Sequence, residues 1–149
     1  MYQKKTVQFD RVRANTRPYL NELIDLETEK TIEYYASKPK EAINQRLVQL
    51  EQEWDIERYL EVNASSIAFL GCVLALTSRK KRWLVLPILV TGFLLQHGLQ
   101  GWCPPLPLLR WMGVRTRREI DSEKIALKAL RGDFDNMDKH PAAIAEQMT

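Results

Sequence analysis

Cys103 is the residue of this 149-residue chain best placed to do chemistry. Its thiol precedes Pro104 and Pro105 and lies upstream of Arg110, Arg115, Arg117 and Arg118. Nearby positive charge lowers a thiol's pKa and raises the fraction present as the nucleophilic thiolate. A cysteine in that setting could carry a persulfide or sense redox state. The plainer reading is a small, semi-apolar side chain fitted into a proline turn, because free cysteines are commonly buried and inert. His97 stands six positions earlier, but one imidazole and one thiol do not make a metal ligand set. Cys72, between Gly71 and Val73, reads as packing, and two cysteines in such unlike surroundings do not suggest a disulfide framework. The sequence carries no catalytic triad, no phosphate-binding loop and no carboxylate pair in a recognisable context. Glu22, Glu27, Glu29 and Glu33 read as a solvated helix surface. The expectation is no enzyme, no cofactor and no metal.

What positions Cys103 is a long stretch without acid. From Glu61 to Glu119 no carboxylate intervenes, and two uncharged apolar runs, Val62 to Ser78 and Trp83 to Leu109, flank the block Arg79-Lys80-Lys81-Arg82. Crossing the hydrocarbon layer takes roughly 20 apolar helical residues, with about 17 as the lower limit. The first run just reaches that length. The second has room to span and then leave through Cys103-Pro104-Pro105 and Pro107, since the residue before a proline is pushed out of helical geometry. The sequence therefore predicts an all-α integral membrane protein, a hairpin of two short transmembrane helices with amphipathic cytoplasmic helices on both sides.

Three regions follow: 1–61, an N-terminal amphipathic helical region; 62–109, the transmembrane hairpin; and 110–149, a basic turn, a helix and a polar tail. Lys and Arg against Asp and Glu number ten to twelve, four to none, and eight to seven in these regions, which sum to the net charge of +3. No long basic tract interleaves with aromatics, so nucleic acid is a poor partner. The opening residues have basic groups but no apolar core behind them, unlike a secretory signal. Basic residues near the runs favour both termini on the cytoplasmic side. Four adjacent charges in the loop are costly to translocate, so a shallow hairpin dipping into one leaflet is the competing topology.

In the first region, Thr16 can cap a helix with Pro18 in its first turn and Leu20, Leu23, Ile24, Tyr34 and Tyr35 on its apolar side. After Ser37-Lys38-Pro39 a second helix is expected from about Lys40 to the apolar run, with Ile43, Leu47, Leu50 and Trp54 as a stripe that packs on the preceding helix, the alternative being a short antiparallel or oligomeric coiled-coil contact. Trp54 and Tyr59 are placed as interfacial anchors. In the third region, Thr116-Arg117-Arg118-Glu119 has capping-box spacing. A helix follows to about Leu130, with Ile120, Ile125, Leu127 and Leu130 apolar and Gly132 as its stop. Ala142 to Ala145 offers one more short turn.

Within the first run Ala64, Ala68, Gly71 and Ala75 recur at spacings of four, three and four. Small residues on one side let another helix approach closely, which drives association in lipid. The short loop makes the second run the simplest partner, and a homodimer through the same face is the alternative. Arg79, Lys80, Lys81, Arg82, Arg110, Arg115, Arg117 and Arg118 are the candidate contacts to lipid headgroups. Asn63, Gln96, His97 and Gln100 are the polar groups near membrane depth, and each must find a partner or reach water.

The stretch from His97 to Arg110, with Gly101, Trp102 and Cys103-Pro104 followed by a leucine-rich turn and Gly113, resembles the small two-helix transmembrane domain appended to bacterial membrane-bound rhodaneses. The likeness covers about Asn63 to Gly113. The segments Glu53 to Arg58 and Arg115 to Asp121 resemble those of stand-alone members of the same group. The chain lacks a rhodanese domain and its active-site loop, so sulfur transfer is not implied; a bacterial inner membrane is. The expected function is non-catalytic: an accessory, assembly or scaffold subunit that contacts membrane lipids and a larger membrane complex or itself. The alternative is a thiol-based sulfur carrier or redox sensor at Cys103. Substrate passage through an oligomer of hairpins would need more polar residues along one face than Gln96, His97 and Gln100 supply.

Overall fold

The computed structural model describes residues 10–134, and these residues form helices and turns without any strand. The helices are α1 (Arg11–Ala14), α2 (Pro18–Ala36), α3 (Lys40–Gln52), α4 (Ile56–Ser78), α5 (Val85–Gln100), α6 (Leu106–Trp111) and α7 (Arg117–Arg131), with one 3-10 turn, Lys81–Leu84, before α5. They build two compact units, each from separated pieces of chain. One comprises residues 10–25 with Trp54–Arg118, the other Leu26–Glu53 with residues 119–134. The expected turn at Ala142 to Ala145 lies outside the described residues.

In the first unit α4 and α5 form an antiparallel hairpin. Both helices, α5 together with its leading 3-10 turn, are long and apolar enough to cross a membrane. Asp55 starts α4 by accepting a hydrogen bond from the Arg58 amide at 2.8 Å, satisfying one of the first-turn donors a helix leaves open. Arg79 ends it in the left-handed conformation, at φ 52°. The chain then reverses through the basic block into α5, where Pro87 sits in the first turn, the part of a helix that tolerates a missing amide donor. Gly101 closes α5 at φ 73°, donating its N–H to the His97 carbonyl at 2.7 Å. This is the position that favours a residue without Cβ.

The helix expected from Lys40 to the apolar run instead ends at Gln52, and the chain breaks at residues 53–55. Asp55 caps a new helix there, and Trp54 leaves the stripe to stack obliquely on Tyr59, ring centroids 5.2 Å apart, with the Arg58 guanidinium 4.3 Å above its ring. Thr16 also differs from expectation: its buried hydroxyl donates back to the Val12 carbonyl at 2.7 Å. Beyond α5 the chain turns through Cys103 into α6, and Val12, Ile56, Leu60, Cys103, Leu106 and Leu109 make one apolar core. Leu20 and Ile24 are buried while Leu23 is exposed.

The second unit is a small helical packing of its own. Ile43, Leu47 and Leu50 of α3 meet Ile120 and Leu127 of α7, with Tyr35 against them. The α3 stripe thus finds most of its cover on α7, and only Tyr35 comes from the preceding helix. Ile125 and Leu130, expected as contacts, remain exposed. Glu123 is fully buried in this unit and takes a two-point ion pair from Arg46, Nε to Oε1 at 2.8 Å and Nη2 to Oε2 at 3.3 Å. Lys124 is also buried, 3.0 Å from Glu51 and 3.8 Å from Asp121. Gly132, at φ 91°, follows the end of α7.

Candidate functional site

The hairpin's inner face is built on small residues. Gly71 is buried, and Ala64, Ala68 and Ala75 are half-buried on the same side of α4. On α5 the half-buried positions Leu86, Pro87, Val90 and Leu94 recur at helical spacing. A Cβ placed on Gly71 would lie 2.6 Å from Pro87 Cδ, 3.0 Å from Leu86 Cβ and 3.2 Å from the Trp83 carbonyl oxygen. Gly71 therefore lies in close contact with the start of the second apolar run of the same chain. Gly92 and Gly98 on α5 have open space where a Cβ would stand.

The outer faces have no such cover. Phe69 is 73 % exposed and Leu76 79 %, and Ile88, Leu95 and Leu99 are exposed as well. Of the most apolar window in each candidate spanning helix, 11 % and 0 % of residues are buried. Their hydroxyls and amides are satisfied locally. Ser66 donates to the Val62 carbonyl at 2.6 Å, Thr77 to Val73 at 2.8 Å, Thr91 to Pro87 at 2.5 Å, and the Asn63 amide to Tyr59 at 2.7 Å. Gln96 reaches Gln100 at 3.5 Å. Helices with internally paired polar groups and apolar exteriors suit a medium that offers no hydrogen bonds.

At the open end of the hairpin α1 closes over the last turn of α5. Arg11 donates to the Gly98 carbonyl at 2.7 Å and the Leu99 carbonyl at 3.3 Å, and Asn15 donates to the Gln100 carbonyl at 2.9 Å. The final carbonyls of a helix have no partner within it, so these side chains complete it and place positive charge at the negative end of its dipole. The fit is close: a Cβ on Gly101 would lie 2.4 Å from Arg11 Cβ. Nothing in the sequence pattern marks α1 for this duty, since its partners stand more than 80 positions away.

Beside this cap lies a cleft of about 540 Å³. Leu60 and Leu94 give it apolar walls, and Asp10, Glu57 and Glu61 face it together with Arg11, Arg117 and Arg118. His97 also lines it. That side chain is 9 % exposed, and its Nδ1 is buried without a hydrogen-bond partner among the described residues. Asp10 is held in place by the Thr116 hydroxyl, which donates to it at 2.8 Å, and by the Arg13 amide at 3.0 Å.

The arginines expected at lipid headgroups divide in two. Arg79, Lys80, Lys81 and Arg82 are exposed at the tight turn, and Arg117 and Arg118 are exposed at the cleft. Arg110 and Arg115 are buried, so a headgroup role does not fit them: Arg110, 1 % exposed, donates to Asn21 Oδ1 at 2.6 Å and to the Val114 carbonyl at 3.1 Å. Burial makes the Arg110 guanidinium an internal fastener of the turn after α5.

Cys103 is 2 % exposed within the apolar core. Burial pushes its thiol above the ordinary value, and the hydrogen bond with the Leu106 amide only partly offsets that. An activated thiol needs the opposite shift. Cys72 lies on the exposed side of α4. In comparisons with known proteins, no family model, no curated protein and no solved structure matches the chain.

Proposed function

We propose that this chain is an integral membrane protein whose hairpin α4–α5 lies in the bilayer, and that it works without catalysis as an accessory, assembly or scaffold subunit. The observation that carries the membrane reading is the exposure of the hairpin's outer faces. A core helix of a water-soluble protein hides its apolar window, whereas these two windows are almost entirely uncovered. Exposed apolar surface on that scale belongs against lipid or another apolar helix.

The subunit role is supported by the close contact of α4 with α5 at Gly71. With the Gly71 side of α4 turned to α5, the exposed outer faces are left for a larger membrane complex or a second copy. The arginines around the hairpin's open end favour the cytoplasm for both termini, and the resemblance to the rhodanese-associated domain supports a bacterial inner membrane. Purification from the native membrane in a gentle detergent, with identification of what co-migrates, tests the subunit role. Recovery as a lone monomer from cells at native abundance counts against it. The thiol reading has less support, since Cys103 is buried and its proton is held more tightly than usual.

A further inference from the structure

Between residues 101 and 116 the chain is inverted relative to a segment that faces water. Its two charged residues, Arg110 and Arg115, are buried. Its exposed residues are Trp102, Leu108, Trp111, Met112, Gly113 and three prolines, none of which carries a charge. Trp111 is 70 % exposed, Met112 59 % and Leu108 57 %. Apolar side chains exposed singly are ordinary, but a run of them marks a surface that something covers. Leu106, Leu109 and Arg110 fall on one side of α6 and are buried, the two leucines in the apolar core beside Cys103. Leu108 and Trp111, three positions apart, fall on the other. A helix apolar on both sides needs cover on both, and the described residues supply it on one.

We propose that α6 and the turn after it form a membrane-interface anchor, with Leu108, Trp111 and Met112 inserted where lipid headgroups meet the first acyl carbons. Continuity selects lipid over a protein partner. The exposed face of α5 ends at Leu95 and Leu99 and passes through Trp102 into this segment, with no exposed charge until Arg117 and Arg118. Apolar helix, tryptophans and then cations is the order in which a bilayer presents hydrocarbon, interface and headgroup surface. An indole is apolar over most of its ring and has one N–H to donate, which suits the level where acyl chains meet headgroup oxygens. Apart from the two indoles, the exposed side chains of this segment offer no strong hydrogen-bonding group for the polar rim of a protein interface. The anchor also sets how deep the hairpin sits, because Leu106 and Leu109 of α6 share one core with Ile56 and Leu60 of α4. The inference rests on the membrane reading of the hairpin and extends it to a second element.

The test uses the full chain with Trp54→Phe, Trp83→Phe and Trp102→Phe, which leaves Trp111 as its single tryptophan, reconstituted in phosphatidylcholine vesicles. Its emission is read against iodide on both sides of the bilayer, and against lipids brominated near the carboxyl end or near the methyl end of the acyl chain. An interfacial helix sits about 5–10 Å into the boundary between headgroups and acyl chains. Bromines near the carboxyl end are therefore expected to remove most of the emission, bromines near the methyl end less, and iodide little. Iodide quenching as strong as in denaturant puts the face in water and overturns the proposal. Protection from iodide and bromine alike assigns the face to a second copy or another protein, and overturns it as well. If the triple variant fails to fold by circular dichroism, wild type and Trp111→Phe are compared instead. The quenching by carboxyl-end bromines is then expected to fall in Trp111→Phe, and an unchanged value overturns the proposal. A chain not recovered with the vesicles refutes the membrane reading itself, whereas iodide quenching in a chain that floats with them refutes the anchor alone.

Discussion

Gly71 is where adding one methyl group should do most to the hairpin. Its missing Cβ would lie 2.6 Å from Pro87 Cδ, whereas carbon atoms rest comfortably at about 3.5–4.0 Å. Relief therefore requires the helices to part by about 1 Å, and Pro87 is a ring in a helix rather than the end of a flexible side chain. A gap of that size forfeits a quarter to a half of each contact's attraction along the seam, and overpacking of this kind costs about 1–3 kcal/mol. Alanine returns about 1 kcal/mol through its better helix propensity. Gly71→Ala should then lose up to about 2 kcal/mol net. Gly92→Ala is the matched control, because nothing lies within 4 Å of its Cβ position, and it should be neutral or gain up to about 1 kcal/mol. Thermal unfolding of both variants in the same detergent measures the difference. If Gly71→Ala proves as stable as Gly92→Ala, the close α4–α5 packing is wrong.

Glu123→Ala should destabilise the second unit by about 1–3 kcal/mol, since it removes the fully buried partner of Arg46, whose guanidinium is partly exposed and recovers some of its solvation, and denaturant unfolding monitored in that variant checks it. Cys103 should resist alkylation by a water-soluble maleimide in the folded protein and react only on unfolding, because it is 2 % exposed with a thiol pushed up by burial; rapid labelling at neutral pH would restore the thiol reading. Arg131 hydrogen-bonds both oxygens of Asp133 and holds its carboxyl below the ordinary value of 3.8. A depressed folded pKa stabilises fully above the unfolded value and is lost as pH falls through the folded one. The stability gap between wild type and Asp133→Asn should therefore be constant at neutral pH and close below pH 3.8.

The hairpin was legible because its signal is local: two apolar runs, a basic block and a proline-rich exit lie in one continuous stretch. The close contact of α4 with the start of α5 falls at Gly71, one of the small residues whose spacing drew attention to that side of the helix. Distant pairings were not legible. The Ile43, Leu47 and Leu50 stripe announces that it will be buried but not that Ile120 and Leu127 cover it. Glu123 offered one signal, a carboxylate at the helical spacing of the stripe, three residues after Ile120 and four before Leu127. A charge there implies a partner such as Arg46, 77 positions away. Arg110 looked like an interfacial cation because charge near an apolar run usually snorkels. The chain instead brings Asn21 to it from 89 positions away, an event no window of sequence contains. The break before α4 was marked by Asp55, whose side chain competes for the first-turn amides that a continuing helix would have used itself.

Whether lipid solvates the α4–α5 hairpin is tested most directly by treating native membranes with alkaline carbonate and following the full chain by immunoblot. The exposure of Phe69, Leu76, Ile88 and Leu95 predicts that it stays with the pelleted membrane and enters solution only with detergent. Quantitative release into the carbonate supernatant, as a dispersed species without amphiphile, would contradict the account.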